Sequence, residues 1–336
     1  MQAFYIEKPM QGFISESIIP TPGHDEILLK VMAAGLCGTD VHIYKGDYYG
    51  DYPRIPGHEF SGVVAGVGKG VTRFLVGQRV SADPNIFCES CEACKQNLQN
   101  FCEDMQAVGV TRHGAFAQYL TVPERCVFDI GNLSFTEAAL VETLACVVQG
   151  HNKINQNMGA NVLIYGAGPI GMLHVQMSRM HGAATVTVVE PVESKLDTAK
   201  KMGATYAYTP EVFSTQGKTN NYELVIDCTG VPKVIEGAVP YIRDTGTLLF
   251  FGVCPTHSEI RLNPYEIYKR ELNLIGSFAL KKTFGAALRL AQSGMIDLAG
   301  IVDKRLVLED APAFFNTSVS GNIGLKTVFY PNGVVE

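Results

Sequence analysis

A glycine-rich turn that directly follows a short apolar segment is the feature that most limits the folds open to this chain. The segment Val162-Leu163-Ile164-Tyr165 predicts a buried strand, and it runs into a G-x-G-x-x-G turn after which the apolar spacing becomes helical. The residues of the turn are Gly166, Gly168, Pro169, Ile170 and Gly171. Glycines let a backbone approach a pyrophosphate, and the following helix offers free N–H groups and the positive end of its dipole. The turn therefore predicts a dinucleotide-binding site, with a tight turn that binds no ligand as the alternative.

An acidic residue closes the next predicted strand. Glu190 lies 19 residues after Gly171, where a carboxylate can accept a hydrogen bond from the 2′-hydroxyl of a ribose. A carboxylate there would repel the 2′-phosphate of NADP, so the sequence predicts NAD as the cofactor. Lys195 follows five residues later and is a further candidate for cofactor binding.

Strand and helix patterns alternate along the second part of the chain. Candidate strands lie at 162–165, 185–189, 223–227, 247–251 and 272–276, with a weaker one at 205–208. Parallel strands joined by helices fold into a doubly wound sheet, so residues 147–278 are predicted to form a Rossmann domain of the α/β class. Residues 1–146 are rich in short β-branched segments and glycine, and we expect residues 279–336 to return to this β-rich domain.

Composition excludes several classes of function. Lys and Arg number 27 against 33 Asp and Glu, which gives a net charge of -6 and argues against nucleic acid as a partner. No apolar stretch approaches the roughly 18 residues that a membrane span needs. The N-terminal residues carry charge where a signal peptide needs its apolar region, so we expect a cytoplasmic protein. In that reducing compartment, the nine cysteines are expected to be thiols or metal ligands.

Four of the cysteines fall within one short loop. Cys88, Cys91, Cys94 and Cys102 follow the spacing C-x-x-C-x-x-C-x₇-C in a segment with little apolar content. Thiolates around a tetrahedral ion can hold such a loop together when apolar burial cannot. The spacing predicts a zinc site whose four positions are all filled by protein, which makes it structural; free thiols and an iron–sulfur cluster are the alternatives.

A second set of metal-ligand residues lies outside this loop. Cys37, the pair His58-Glu59 and Glu142 supply a thiol, an imidazole and two carboxyl groups. Glu142 stands in an apolar helical run, where an unpaired carboxylate is costly to bury. A mixed ligand set leaves room for water or substrate, as in catalytic zinc sites, whereas each residue taken alone is more typical of an ordinary core or surface position.

The sequence around these ligands resembles a known enzyme family. Gly-His-Glu-Phe-Ser-Gly at 57–62, followed by Gly68 and Val71, looks like the signature of zinc-containing alcohol dehydrogenases. The Cys-Gly-Thr-Asp motif at 37–40, the cysteine loop, the nucleotide turn and Glu142 occur in that family's order. Over essentially its whole length the chain resembles the medium-chain dehydrogenases of the sorbitol, or polyol, branch. The resemblance implies a GroES-like catalytic domain, a Rossmann domain that binds NAD, and two zinc ions per chain.

The same resemblance implies roles for individual residues. The catalytic zinc is expected to be bound by Cys37, His58 and either Glu59 or Glu142, with Cys146 as a rival to Glu142. Water or substrate would take the remaining position.

Four further roles surround this zinc site. Asp40 is expected to accept a hydrogen bond from the free ring nitrogen of His58. Thr39 and His42 match the positions that pass a proton outward through the cofactor ribose, and Lys326 matches a basic residue for the pyrophosphate.

The implied activity is hydride transfer from a sugar alcohol to NAD, which gives a ketose. The polyol branch commonly has an arginine–tyrosine pair where this chain has Ala279-Leu280, so a pentitol or a hexitol other than sorbitol is the preferred substrate. L-threonine 3-dehydrogenase is the enzymatic alternative. A non-catalytic nucleotide-binding redox sensor with structural zinc alone is the alternative outside enzymes, and a zinc-free quinone reductase fits neither metal cluster. A homodimer or homotetramer is the family expectation.

Overall fold

The computed structural model describes residues 1–48, 51–319 and 324–334, and the chain divides into two compact units. The first unit comprises Met1–Ala145, Lys281–Gly294 and Leu298–Glu336, and the second comprises Cys146–Leu280 and Met295–Asp297. The sequence analysis put the boundaries at 146/147 and 278/279. The structure instead assigns Cys146, residues 279–280 and residues 295–297 to the second unit. No turn signal marks the first boundary because it falls inside a helix.

Short strands dominate the first part of the chain. The strands are β1 (Gln2–Lys8), β2 (Gln11–Glu16), β3 (Glu26–Gly35), β4 (Glu59–Val67), β5 (Arg79–Ala82), β6 (Asn85–Ile86), β7 (Gln106–Ala107), β8 (Tyr119–Pro123) and β9 (Val127–Asp129). The helices among them are α1 (Gly38–Lys45), α2 (Glu92–Lys95) and α3 (Phe135–Ala139).

Strands and helices then alternate. These elements are α4 (Val141–His151), β10 (Asn161–Tyr165), α5 (Pro169–Met180), β11 (Thr185–Val189), α6 (Glu193–Lys201), β12 (Tyr206–Tyr208), α7 (Pro210–Gln216), β13 (Tyr222–Asp227), α8 (Pro232–Ala238), β14 (Ile242–Phe250), α9 (Pro264–Lys269) and β15 (Asn273–Gly276). The last elements are α10 (Phe284–Gln292), β16 (Val302–Val307), α11 (Ala311–Ser318) and β17 (Lys326–Tyr330). Short 3₁₀ helices lie at Gln99–Phe101, Glu124–Cys126, Val239–Tyr241, Ala299–Ile301 and Leu308–Asp310.

The second unit contains the predicted doubly wound sheet. Its six strands are all parallel and lie in the order β12-β11-β10-β13-β14-β15, which is the strand order of a Rossmann fold. The central strand β10 has Val162, Leu163 and Ile164 fully buried, as expected for a parallel strand covered on both faces. The α/β class is therefore confirmed, and each of the six predicted strands overlaps an observed one.

The first unit is built on a mainly antiparallel sheet. Its strands lie in the order β16-β17-β3-β4-β5-β9, and β8 also pairs with β3. Only β16 and β17 pair in parallel. Aromatic rings of Phe4, Tyr44, Phe116, Phe315 and Phe329 pack together in the core, with ring centroids 4.8 to 5.9 Å apart. Because β17 pairs with β3, the end of the chain completes the sheet that begins near its start.

A capping box at Ser134 begins α3. The Ser134 side chain accepts a hydrogen bond from the backbone N–H of Glu137, whose carboxylate accepts from the N–H of Ser134. The apolar helical run that contains Glu142 is broken, because α3 ends at Ala139 and α4 begins at Val141. Glu142 therefore lies in the first turn of a new helix.

Among the described residues, no helix is long and apolar enough to cross a membrane.

Candidate functional site

Three of the predicted metal ligands meet in the first unit. The ligand atoms of Cys37, His58 and Glu59 all lie within 4.8 Å of one another. Cys37 stands between the end of β3 and the start of α1, and Glu59 is the first residue of β4. The antiparallel register pairs Gly35 with Glu59, so the strand pair itself brings the thiol beside the carboxylate.

A glycine makes room for the Glu59 carboxylate. A Cβ atom added at Gly35 would lie 2.1 Å from Oε2 of Glu59 and 3.1 Å from a methyl carbon of Leu140. No real Cβ atom approaches an oxygen so closely, so any other residue at this position would displace the carboxylate. The sequence analysis missed Gly35, although its place two residues before Cys37 was a usable signal.

The two carboxylate oxygens of Glu59 differ in their partners. Lys326 Nζ donates to Oε1 of Glu59 at 2.5 Å, and both residues are buried. Burial alone would lower the pKa of Lys326, but the carboxylate of Glu59 and the thiol of Cys37 raise it. Oε2 of Glu59 is buried and has no hydrogen-bond partner among the residues that the structure describes. A buried anionic oxygen of this kind fits a second cation beside it.

Asp40 organises the other two members of the group. Its carboxylate is fully buried and accepts from the backbone N–H of Cys37 and of Gly57, each at 2.9 Å. Nδ1 of His58 lies 3.5 Å from Oδ1 of Asp40. Burial would lower the pKa of His58, yet Asp40 and Cys37 raise it well above its ordinary value. This arrangement turns one ring nitrogen toward Asp40 and leaves Nε2 as the nitrogen for a metal ion.

Glu142, Thr39 and His42 were also predicted for this site, and they lie outside the group of three ligand atoms. Glu142 is buried at the start of α4, but within the described part of the chain it belongs to no group of three ligand atoms within 4.8 Å of one another. The Thr39 hydroxyl lies 3.7 Å from Sγ of Cys37. His42 is half-exposed, and its Nδ1 lies 2.8 Å from Oδ1 of Asp47.

The four clustered cysteines also converge. The sulfur atoms of Cys88, Cys91, Cys94 and Cys102 lie within 4.8 Å of one another. The backbone N–H groups of Cys88 and Cys91 donate to sulfur at 3.3 Å, and donors from Ser90 and Cys91 lower the pKa of Cys88 to about 6. Only a few apolar side chains pack around these sulfur atoms, so apolar burial contributes little to holding the loop. Four sulfur ligands this close together fit a structural zinc ion with tetrahedral coordination.

The glycine turn in the second unit has a backbone conformation and close contacts that require glycine. Gly166 follows β10 with φ +95°, a conformation that favours glycine. A Cβ at Gly171 would lie 1.9 Å from the carbonyl oxygen of Gly166, so only glycine fits there. Gly168 precedes α5, whose first two residues are Pro169 and Ile170, and a Cβ at Gly168 would meet nothing within 4 Å. The open side of the turn lies at a helix N-terminus, where a phosphate group can bind.

Glu190, the predicted acid, accepts hydrogen bonds from backbone N–H groups in and near the same turn. One carboxylate oxygen of Glu190 accepts from the N–H of Ala167 at 2.8 Å, and the other accepts from the N–H of Val192 at 3.1 Å. Glu190 is buried, whereas Lys195 on α6 is half-buried. The carboxylate is thus fixed beside the glycine turn, where it would meet a ribose.

A second acid at this edge of the sheet was missed. Asp227 ends β13, is fully buried, and accepts from the N–H groups of Thr229 and Gly230 at 3.1 Å and from the Thr229 hydroxyl at 2.6 Å. These bonds order the turn that follows the strand next to β10. An acid that ends a buried strand and precedes Cys-Thr-Gly was the available signal.

The chain is similar in sequence to known proteins over most of its length. Residues 23–132 match the alcohol dehydrogenase GroES-like domain, and residues 169–293 match the zinc-binding dehydrogenase family. The chain is 38% identical to D-altritol 5-dehydrogenase of Agrobacterium fabrum, with 92% of each chain covered. It is 34% identical to D-arabinitol dehydrogenase 1 of Uromyces fabae, with 99% and 97% covered. It is 30% identical to an L-threonine 3-dehydrogenase of Rhizobium etli, with 96% and 97% covered.

Solved structures are similar over almost the whole chain. A zinc-binding dehydrogenase from Sinorhizobium meliloti 1021, bound to NADP, superposes with a TM-score of 0.95 at 31% identity, covering 98% of this chain and 99% of that one. An alcohol dehydrogenase from Escherichia coli CFT073, complexed with NADH, gives a TM-score of 0.89 at 29% identity with the same coverage. The two neighbours carry different cofactors, so the preference of this chain must be argued from its own residues.

Proposed function

Because the chain belongs to the zinc-binding alcohol dehydrogenase family, we propose that it oxidises a secondary alcohol of a sugar alcohol to a ketose, with NAD as the hydride acceptor. The observation that carries this proposal is the buried group of Cys37, His58 and Glu59 on a chain that also has the glycine turn for a dinucleotide. The similarity to altritol and arabinitol dehydrogenases supports a polyol substrate over threonine, because those relatives are the more similar.

The residues of the first unit fit a catalytic zinc ion. Cys37, His58 and either Glu59 or Glu142 would hold it, since Oε2 of Glu59 is buried without a hydrogen-bond partner among the described residues and faces the thiol. Bound zinc is a Lewis acid that makes an alcohol proton easier to remove. Asp40 fixes the ring of His58, and Lys326 neutralises one oxygen of Glu59.

The proton would leave through Thr39, the cofactor ribose and His42. The Thr39 hydroxyl stands beside Cys37, where it can accept a proton from the substrate alcohol as it passes its own proton to the ribose. His42 lies one turn further along the helix, is half-exposed, and can release the proton to water. In this scheme Thr39 acts inside the site and His42 at the surface.

The second unit holds the hydride acceptor. NAD supplies a nicotinamide carbon that accepts hydride. Gly166, Gly168 and Gly171 admit its pyrophosphate to the N-terminus of α5, and Glu190 binds the ribose hydroxyls and disfavours a 2′-phosphate. Lys195 is a further cofactor contact in this proposal, whereas the predicted pyrophosphate residue Lys326 is buried and paired with Glu59.

The substrate is a pentitol or hexitol. Ala279 and Leu280 stand where sorbitol dehydrogenases commonly place an arginine–tyrosine pair, so the chain lacks the side chains that would select sorbitol at that position. We further propose that the enzyme is cytoplasmic. We also propose that it assembles as a homodimer or homotetramer, and light scattering on the purified protein will test this oligomeric state.

Formation of NADH at 340 nm across a panel of pentitols, hexitols, threonine and simple alcohols tests the function. We expect turnover on a polyol with NAD, and loss of more than 100-fold in kcat for Cys37→Ser with the fold retained. Turnover on threonine alone would assign the chain to threonine oxidation. Absence of turnover across the panel, with one zinc ion per chain instead of two, would contradict the enzymatic proposal and favour a redox sensor.

A further inference from the structure

A cavity of about 330 Å³ lies in the first unit and includes none of the residues that the proposed reaction uses. Its wall is formed by the segment after β5, by the end of the 3₁₀ helix Glu124–Cys126 with the start of β9, and by the first turn of α10. A volume of this size suits a small metabolite.

The residues at the start of α10 line this cavity and carry backbone donors without partners in the described chain. The first helical hydrogen bond joins the N–H of Ala287 to the carbonyl of Thr283, so the N–H groups of Phe284, Gly285 and Ala286 precede it. These three residues line the cavity, and none of their N–H groups donates to an atom of residues 1–48, 51–319 or 324–334. The Thr283 hydroxyl does not cap the helix, because it donates to the carbonyl of Ala145 at 2.7 Å. The turn therefore offers several free donors and a positive dipole end.

Three cationic side chains line the same cavity. Arg125, Lys282 and Arg289 all line the cavity and are exposed, which places their charges at its open side. Arg289 lies over the helix start, since its Nη1 is 3.7 Å from the position that a Cβ at Gly285 would take. Lys282 Nζ lies 3.8 Å from Oε1 of Glu89, an exposed carboxylate that also lines the cavity, so with Asp83 the lining has three cationic and two acidic side chains. Cations and free N–H groups that converge in this way are typical of sites for phosphate groups.

The remaining lining favours hydroxyl groups and a short carbon skeleton. Asp83 is 7% exposed and accepts from the N–H of Asn85 at 2.9 Å, and both residues reach the cavity. Their side chains can exchange hydrogen bonds with hydroxyl groups. Phe128 and Phe284 stack at a centroid distance of 5.0 Å and provide an apolar wall.

We propose that this cavity is a binding site for a phosphate monoester of a small polyol or sugar. Its phosphate binds the N–H groups at the start of α10 together with Lys282 and Arg289, and its hydroxyl groups bind Asp83 and Asn85. The site lies outside both the metal group and the glycine turn, so it goes beyond the proposed dehydrogenase function and does not depend on it.

Isothermal titration of the zinc-replete protein with glycerol 3-phosphate tests the site. NAD is kept saturating so that the glycine turn cannot bind the probe. We expect saturable binding at one site per chain, tighter than that of inorganic phosphate, with no binding of glycerol at the same concentrations. Equal affinity for glycerol 3-phosphate and inorganic phosphate, or no saturable binding up to 20 mM of the probe, contradicts the proposal.

Two variants locate the binding. Arg289→Gln removes a cation, and Ala286→Asp places a carboxylate among the free N–H groups, where an acid also stabilises the helix start. Both variants are expected to weaken the binding of glycerol 3-phosphate at least tenfold, while the melting temperature stays within about 2 °C of that of the wild type. Arg305→Gln is the matched control, because exposed Arg305 lies on β16 at the opposite edge of the sheet from β9. If Arg305→Gln weakens binding as much as Arg289→Gln, the attraction is non-specific and the assignment is wrong.

Discussion

Lys326 and Glu59 form a buried ion pair across 267 residues of sequence, with Nζ and Oε1 2.5 Å apart. The pair joins β17 to β4, so the end of the chain supplies the charge that balances a carboxylate of the candidate metal site. A pair of this kind stabilises little by itself, but removal of one partner leaves the other charge buried and uncompensated.

Replacement of the lysine is therefore expected to be costly. Lys326→Met should lower the free energy of unfolding by about 3–5 kcal/mol, because Glu59 would remain buried beside an apolar side chain. Urea unfolding of protein depleted of the catalytic zinc ion measures the change, because that ion would otherwise balance the charge of Glu59. The double variant Lys326→Met with Glu59→Gln should recover most of the loss, since the charge is removed along with its partner. Lys69→Met, at an exposed position, should change stability by less than about 0.5 kcal/mol.

The glycine beside the Glu59 carboxylate gives a second prediction. Gly35→Ala would place a Cβ 2.1 Å from Oε2 of Glu59, so the carboxylate must move and the catalytic zinc is expected to bind weakly. Metal analysis should find one zinc ion per chain in place of two, with dehydrogenase activity reduced more than 100-fold. Gly38→Ala is the control, because a Cβ there would meet nothing within 4 Å. Two zinc ions in Gly35→Ala would show that Glu59 is not needed to hold the metal.

The sequence predicted local features more fully than contacts between residues that are far apart in the chain. The glycine turn and its flanking strand and helix depend on neighbouring residues, so spacing alone revealed them. Lys326 was predicted to contact a pyrophosphate, whereas the structure pairs it with Glu59. That contact depends on which strands become neighbours in the sheet, and periodicity carries no information on strand order.

The cysteine loop should depend on its zinc ion. Cys94→Ser removes one of four ligands, and the few apolar contacts in this loop cannot replace the bond. We expect the zinc content to fall from two ions to one and proteolysis to cut first within residues 88–102. Cys254→Ser, at a half-buried cysteine outside both groups, should keep both ions and resist cleavage. Retention of two ions by Cys94→Ser would rule out a structural zinc site there.

The buried acid at the glycine turn should set the cofactor preference. Glu190→Gln removes the charge that repels a 2′-phosphate and keeps one of the two oxygens that accept from the N–H groups of Ala167 and Val192. The ratio of kcat/KM for NAD to that for NADP is expected to fall by roughly tenfold, or about 1.4 kcal/mol. Glu193→Gln removes an exposed charge on the next helix and should leave the ratio unchanged. An unaltered ratio in Glu190→Gln would place the source of the preference elsewhere.

A pair of buried histidines should make the second unit sensitive to acid. His151 Nε2 and His174 Nδ1 lie 3.1 Å apart, and burial lowers the pKa of His174 to about 3 and that of His151 well below 6.5. Between about pH 3 and 6.5 the unfolded chain therefore binds more protons than the folded chain, so stability is complete above pH 6.5 and decreases as the pH falls. For His174 alone the loss from pH 7 to pH 5 is about 2 kcal/mol. Hydrogen exchange of the β10 amides at both pH values measures this loss of stability in the second unit.

His174→Gln should reduce the loss by about 2 kcal/mol. The control His257→Gln changes an exposed histidine and should leave the loss unchanged. Equal losses in wild type and His174→Gln would mean that the histidine pair does not govern acid stability.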